Sequence, residues 1–199
     1  SIHNPDKWSA EFPNLYTLVM ELEDTDGSVV EVISQKVGFR EVEIKDQTIL
    51  VNGVPVTFNG VNWIPHHASH GKAVTRDMML QDIQTMKRHN INCIRTSHYP
   101  PDPALLELTD RFGMYVVDEA NIEAHDNTWL SEEPAWKEAF LDRLTRMVHR
   151  DKNHASVVIW SAGNEAGGGD NLAEDVKAGK AIDPTRPGWL YGGNAGRYT

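Results

Sequence analysis

The sequence holds one cysteine, Cys93, among its 199 residues. That excludes an internal disulfide and any cysteine-built zinc site. Basic residues are outnumbered: 19 Lys and Arg against 29 Asp and Glu give a net charge of -10. Such a surface repels phosphate backbones and anionic lipid, so neither nucleic acid nor a membrane is expected as a partner. No apolar run reaches the roughly 18 residues of a membrane span, and Ser1-Ile2-His3-Asn4-Pro5 lacks the basic-then-apolar layout of a signal peptide. Internal repeats and low-complexity tracts are missing too. Length is also short, since a complete (β/α)8 barrel usually takes roughly 250 residues. What is present, 40 % apolar and 24 % charged residues, belongs to a globular chain able to bury a core. Six tryptophans and nine histidines direct attention to carbohydrate or metal chemistry.

The opening stretch reads as strands. Tyr16, Leu18, Met20 and Leu22 recur at every second position, and Asp24-Thr25-Asp26-Gly27 supplies turn chemistry. Between Val37/Phe39 and Val42/Ile44 the apolar parity switches, the mark of a bulge or of a strand that changes sheets. Asn52-Gly53 between Ile49-Leu50-Val51 and Val54-Pro55-Val56 predicts a tight hairpin, because both turn positions tolerate positive φ. From Val56 onward short apolar strands alternate with amphipathic helices, the texture of a parallel sheet covered by helices. Strands are expected over 56–60, 93–95, 114–117 and 157–160. The helices between and after them are expected from Thr75 through Lys87 and over 103–112, 136–150 and about 172–182, with Thr75 as an N-cap and Gly113 as a C-cap. Trp189-Leu190-Tyr191 opens a fifth strand in this reading.

Polar and ionisable residues gather just after each of these strands: Asn62, His66, His67 and His70; Arg95 and His98; Asp118, Glu119, Glu123 and His125; Asn164 and Glu165. In barrels and open α/β sheets, ligands bind outside the carboxyl ends of the strands, where loops converge. Each residue also has a plainer reading. Asn164-Glu165 could cap the next helix, Glu123 could be solvated, His125 could cap a loop, and a lone strand arginine such as Arg95 is often a structural ion pair. His66, His67 and His70 lack a cysteine or carboxylate to complete a metal cluster and read as a polar loop. Trp63, Trp129 and Trp189 are candidates to stack on a sugar, whereas Trp136, Trp160 and Cys93 read as core.

Two longer stretches carry a resemblance. Asp151-Lys152-Asn153-His154-Ala155-Ser156-Val157-Val158-Ile159-Trp160-Ser161-Ala162-Gly163-Asn164-Glu165 resembles the acid/base signature of glycoside hydrolase family 2, which contains β-galactosidases, β-glucuronidases and β-mannosidases. Asn92-Cys93-Ile94-Arg95-Thr96-Ser97-His98-Tyr99-Pro100, followed by Asp110-Arg111-Phe112-Gly113 and Asp118-Glu119-Ala120, is similar to the family's other signature. Asp118-Glu119-Ala120-Asn121-Ile122-Glu123-Ala124-His125 resembles the β-galactosidase branch in particular. The resemblance implies an α/β fold: a partial (β/α)8 TIM barrel preceded by strands of an immunoglobulin-like β-sandwich. Residues 1–46 would close the sandwich and 47–199 would form the first half of the barrel.

For function the resemblance implies a retaining enzyme that hydrolyses terminal β-D-galactosides, with two carboxylates about the scissile bond. Glu165 would be the general acid/base and Asn164 would bond the sugar 2-hydroxyl. His98 would contact hydroxyls near the reacting carbon, and Arg95 would orient the nucleophile. Glu123, His125 and Glu165 would hold Mg2+, and the full enzyme would use a monovalent cation and form a homo-oligomer. Two departures stand out. Gly60-Val61-Asn62-Trp63-Ile64-Pro65 replaces the usual Gly-Val-Asn-Arg-His-Glu, which removes an arginine, a histidine and a glutamate. The sequence also ends at Thr199, ahead of the strand that carries the family's nucleophilic glutamate, so the remainder of the barrel is expected from a parent chain and the isolated piece is expected to be inactive. A non-catalytic sugar-binding or assembly module with a partner chain, and a β-glucuronidase-like hydrolase, are the alternatives.

Overall fold

The computed structural model describes residues 2–186 and, as backbone, 188–190. The chain opens with a long antiparallel hairpin, β1 (Tyr16–Glu23) and β2 (Val29–Val37), closed by the expected turn, in which Gly27 takes φ 83° and its N–H returns to the Asp24 carbonyl. Its apolar side chains are exposed on both faces, Leu22 and Val30 among them. After β2 the chain changes sheets where the parity switch predicts it. Gly38 passes so close to Ala155 and Trp8 that an added Cβ would stand 2.7 Å from the Ala155 side chain. A second antiparallel sheet follows, made of β3 (Val42–Lys45), β4 (Thr48–Val51) and β5 (Val54–Pro55). Its hairpin turns on Asn52 at φ 55° and Gly53 at φ 77°, the left-handed pair expected of Asn-Gly.

The remainder is one five-stranded parallel sheet in which sequence neighbours are also spatial neighbours: β6 (Gly60–Trp63), β7 (Cys93–Thr96), β8 (Tyr115–Glu119), β9 (Val157–Ser161) and β10 (Gly188–Leu190). Helices α1 (Arg76–Arg88), α2 (Pro103–Phe112), α3 (Lys137–Asp151) and α4 (Asp170–Ile182) follow β6 to β9 in turn. Strictly sequential parallel pairing is the pattern of a barrel wall. The helices begin and end for local reasons. The Thr75 hydroxyl accepts from the Met78 N–H, Pro103 sits in the first turn of α2 behind an Asp102 cap, and Gly113 closes that helix at φ 70°.

The first barrel strand departs from expectation, running over Gly60–Trp63 rather than 56–60. Val56 still belongs to the preceding sheet, since its N–H bonds the Ile49 carbonyl at 3.0 Å. Pairing with β7 begins at Gly60, opposite Cys93. Trp136 also departs from expectation: it lies in a short 3-10 turn (Pro134–Trp136) ahead of α3 and is 44 % exposed, while Phe140, Leu144, Met147 and Val148 are buried as the periodicity predicts. Tyr191, assigned to the fifth strand, lies outside the described residues.

Alternate strand residues enter two cores. Ile94, Val116 and Trp160 join Met79, Ile83, Leu105, Leu144 and Leu172 between sheet and helices. Cys93, Tyr115, Val117 and Ile159 join Trp8, Ala10, Val42 and Val51 at the other side, which fastens the leading segment to the amino ends of the barrel strands. There Trp8 is fully buried, stacks edge-on against Tyr115 and donates to the Asp110 carbonyl at 2.8 Å. Burying a side chain of this kind is worth about 1.5–3 kcal/mol. Cys93 is core as expected, and burial pushes its thiol up to about 12. Among the described residues no helix is long and apolar enough to cross a membrane.

Candidate active site

The parallel ladder of β8 and β9 continues past its strand ends, and this extension builds the site. The Asn164 N–H bonds the Ile122 carbonyl at 2.8 Å, and Glu123 pairs with Asn164 in a parallel bridge. The close approach requires Gly163, at φ 150°: a Cβ there would stand 2.4 Å from the Ile122 carbonyl oxygen. Two loop residues then take left-handed conformations that only a few per cent of non-glycine residues adopt, His125 at φ 39° and Glu165 at φ 43°. Such backbone is held by its surroundings and is concentrated at functional sites.

At the strand ends the hub is Glu119, the last residue of β8, whose side chain is fully buried. Its Oε2 accepts from Arg95 Nε at 2.7 Å and from the Ser161 hydroxyl at 2.7 Å. Its Oε1 accepts from an Arg95 terminal nitrogen at 2.9 Å and faces His98 Nδ1 at 2.8 Å. The same Arg95 nitrogen donates to Asn164 Oδ1 at 2.8 Å. Asn164 Nδ2 in turn donates to Glu123 Oε1 at 3.0 Å. His125 lies between two carboxylates, with Nε2 at 2.8 Å from Glu123 Oε1 and Nδ1 at 2.7 Å from Glu165 Oε2. One continuous polar chain thus runs from buried Glu119 through Arg95, Asn164, Glu123 and His125 to exposed Glu165. Of the six residues expected at the site, Arg95, Asn164, Glu123, His125 and Glu165 lie on it and His98 branches from Glu119.

Charges along this chain are perturbed in the directions its contacts dictate. The Glu123 hydrogen bond, with the Glu165 charge beside it, raises the His125 imidazole above its ordinary value. Glu123 is pushed up by burial, but hydrogen bonds from Asn164 and His125 outweigh this and hold its carboxyl below the usual range. Among the described residues no group of three His, Cys, Asp or Glu side chains stands ready to hold a metal ion. Glu123, His125 and Glu165 meet as a hydrogen-bonded chain rather than around one point. Their donor chemistry, two carboxylates and an imidazole open to solvent, suits a hydrated divalent cation once the ring nitrogen gives up its proton.

Other candidates fall away from the site. Trp63 is not a sugar platform: it is 7 % exposed, belongs to the helix-side core and donates from Nε1 to Asp82 at 2.9 Å. Trp160 is fully buried, as its place on an apolar strand predicts. Trp129 is exposed, and the Trp189 ring lies outside what is described. His67 and His70 pack edge-on with their Nδ1 atoms and the Ser69 hydroxyl in mutual contact, the polar loop expected of that segment. Asp118 is fully buried with Oδ2 unpartnered, and burial together with nearby Asp151 pushes its carboxyl well up. It is a core acid, not a reacting one. A cavity of about 540 Å³ opens beside Asn92 and Tyr115 at the amino ends of β7 and β8, the face of a barrel that serves stability rather than chemistry. The hub role of Glu119 was missed by sequence reasoning. Its signal was present, an acid closing a strand two residues beyond the register partner of a strand arginine.

A parallel barrel wall with carboxylates, an arginine, an asparagine and histidines at its carboxyl edge places the chain in the (β/α)8 class, whose ligand sites lie at that edge. The TIM-barrel domain model of the glycosyl hydrolases family 2 matches residues 42–197, and a second model of that family matches residues 1–40. The chain belongs to glycoside hydrolase family 2, and its fold is part of the family's TIM barrel preceded by strands of its sandwich domain. Among solved structures it is similar to the β-D-glucuronidase of Dictyoglomus thermophilum, at 28 % identity over 94 % of this chain and 34 % of that one, with a TM-score of 0.83. It is similar to the β-glucuronidase of Ruminococcus gnavus in complex with D-glucuronic acid, at 27 % identity over 94 % and 33 % with a TM-score of 0.85. It is also similar to β-glucuronidase 3 of Bacteroides uniformis, at 27 % identity over 94 % and 25 % with a TM-score of 0.79. The chain spans about a third of the length of the first two.

Proposed function

We propose that this chain supplies the general acid/base, Glu165, of a retaining β-glycosidase that hydrolyses terminal β-D-galactosides, acting within a longer polypeptide that completes the barrel and carries the nucleophile. The observation that carries the reading is the continuous chain from Glu119 to Glu165, which leaves at its end the most exposed carboxylate of the site, close to an asparagine whose amide direction is fixed. Glu165 would protonate the departing glycosidic oxygen and later take a proton from water, while Asn164 and His98 hold sugar hydroxyls. Glu123, His125 and Glu165 would hold magnesium, which supplies fixed positive charge beside the acid when bound. Chelation is then expected to lower activity and added magnesium to restore it.

The side-chain charges, taken without the proposed cation, favour a neutral sugar. Glu119, Glu123 and Glu165 crowd the site, and Arg95, the cation among them, already spends its fork on Glu119. A uronic acid carboxylate would enter against this field. The second reading, a β-glucuronide substrate, is favoured by the family members it resembles structurally. Assaying the full-length protein on p-nitrophenyl β-D-galactoside and β-D-glucuronide separates the two. A kcat/KM at least about 100-fold higher on the galactoside is expected, a gap of about 2.7 kcal/mol. The opposite preference overturns the substrate, and hydrolysis of neither overturns the enzyme reading in favour of a binding module.

A further inference from the structure

We propose that Glu119 is a positioning residue that decides which face Asn164 and His98 turn to the sugar, acting on Asn164 through Arg95; this rests on the glycosidase reading above. Glu119 is too enclosed to react. Its side chain is fully buried, and each of its oxygens is engaged twice, Oε1 by Arg95 and His98 and Oε2 by Arg95 and Ser161. A carboxylate offers about four lone-pair directions, and here all four are taken. What the residue can do is impose direction on its partners.

Two consequences follow from donor counting. Arg95 can only donate, so the terminal nitrogen that bonds Glu119 gives its second hydrogen to Asn164 Oδ1 at 2.8 Å. The Asn164 oxygen is thereby spent, and its amide nitrogen is the end turned outward, now toward Glu123 at 3.0 Å. A sugar 2-hydroxyl entering there meets a donor. His98 is directed in the same way: with Nδ1 donating to Glu119, the neutral ring presents the Nε2 lone pair, so a hydroxyl there meets an acceptor. The site therefore shows the substrate a fixed donor at Asn164 and a fixed acceptor at His98. Glu123 holds the nitrogen end of the Asn164 amide, and Glu119, by holding Arg95, holds its oxygen end; without Glu119 that end and the His98 ring, each able to take two orientations of similar shape, lose the partner that selects one.

The test is Glu119→Gln in the full-length protein, assayed on an aryl β-D-galactoside and on its 2-deoxy counterpart. Glutamine keeps the shape but brings an NH2 group against donors, which frees Arg95 and with it Asn164. A loss of about 100-fold in kcat/KM is expected on the 2-hydroxy substrate and of less than about 10-fold on the 2-deoxy one, because the interaction being lost is the one to that hydroxyl. Equal losses on both substrates would show that Glu119 only holds the fold, and would overturn the proposal. Should that variant fail to fold, Ser161→Ala, which frees one Oε2 lone pair, is expected to cost about fivefold on the 2-hydroxy substrate and under about twofold on the other; equal losses again overturn it. A crystal structure of whichever variant folds gives a result that needs no activity. The Arg95 to Asn164 contact is expected to open beyond about 3.5 Å in Glu119→Gln and to lengthen measurably in Ser161→Ala, and an unchanged 2.8 Å contact in either overturns the proposal. If the wild type hydrolyses no aryl β-glycoside, the functional reading fails, and the crystallographic result still decides the role of Glu119.

Discussion

Replacing Asp175 by asparagine is expected to stabilise the protein at pH 8 and to leave it unchanged at pH 4. Asp175 lies on the buried face of α4 with no surface exposure, and neither carboxyl oxygen has a hydrogen-bond partner. One turn earlier, Asn171 shows how the same face satisfies a polar group, donating to the Leu130 and Glu133 carbonyls. Burial without partners pushes the Asp175 carboxyl from 3.8 up to about 7. The sign follows from linkage: between the two values the folded protein holds a proton that the unfolded chain releases, so stability falls as pH rises from about 4 to about 7 and then levels off. At about 1.4 kcal/mol per pKa unit, the charged form costs the folded state about 4 kcal/mol at pH 8. Asparagine cannot ionise and matches the neutral acid in shape. Thermal unfolding of the two proteins by circular dichroism between pH 4 and pH 8 should therefore diverge with pH, to a difference of roughly 8–16 °C at the top of the range. All other titratable groups are the same in both proteins and cancel in the comparison. A wild type whose melting temperature tracks that of Asp175→Asn across the whole range would refute the reasoning.

The remaining expectations concern the site and its supports. In the full-length protein, Glu165→Gln should slow hydrolysis about 100- to 10,000-fold for alkyl aglycones, which need a proton to leave, and far less for nitrophenolate; a loss independent of leaving-group pKa removes Glu165 from the acid role. Gly163→Ala forces a Cβ against the Ile122 carbonyl oxygen at 2.4 Å in backbone at φ 150°. It should cost about 1–3 kcal/mol of stability in denaturant unfolding and more than tenfold in kcat/KM by displacing Asn164; retention of both would show the β8–β9 extension to be pliable. Trp63→Phe gives up the bond to Asp82 and should lower stability by about 1–2 kcal/mol with KM unchanged, whereas a raised KM would return the Trp63 ring to the sugar.

What was legible in the sequence is what periodicity and turn chemistry control. Met79, Ile83 and Met86 at helical spacing, Thr75 and Gly113 at helix ends, and Asn52-Gly53 between apolar runs each specify local geometry through side-chain volume or a required φ, and each formed as expected. Misplacements came where two sheets compete for one segment. Val56 to Phe58 has the composition of a barrel strand, yet the Val56 hydrogen bond to Ile49 holds its start to the preceding sheet, and Phe58 packs on Tyr115 of β8 without joining the barrel ladder. Trp63 and Trp136 exchanged places for a related reason. Aromatic character says that a ring seeks apolar contact, and only the fold says which ring is beneath α1 and which is left outside α3. That the candidate residues gather at one edge of the sheet was legible because they recur at strand ends, but their connectivity was not. That Glu119 joins Arg95, His98 and Ser161 depends on the register of three parallel strands, which no single strand encodes.

The two acids at the ends of the polar chain differ in the property that their proposed roles demand. A general acid must exchange its proton with an aglycone oxygen and then with water, so it has to be reached from outside, and the Glu165 side chain is 56 % exposed on a loop. A positioning acid must keep one set of partners through every turnover, and Glu119 is fully buried at a strand end with four contacts. Rigid strands thus hold the groups proposed to set direction, and the left-handed loop residues His125 and Glu165 include the proposed proton donor. Exchanging those environments would spoil both functions. A buried Glu165 would lose access to the leaving oxygen, and an exposed Glu119 would share its partners with water and cease to choose between the two faces of Asn164.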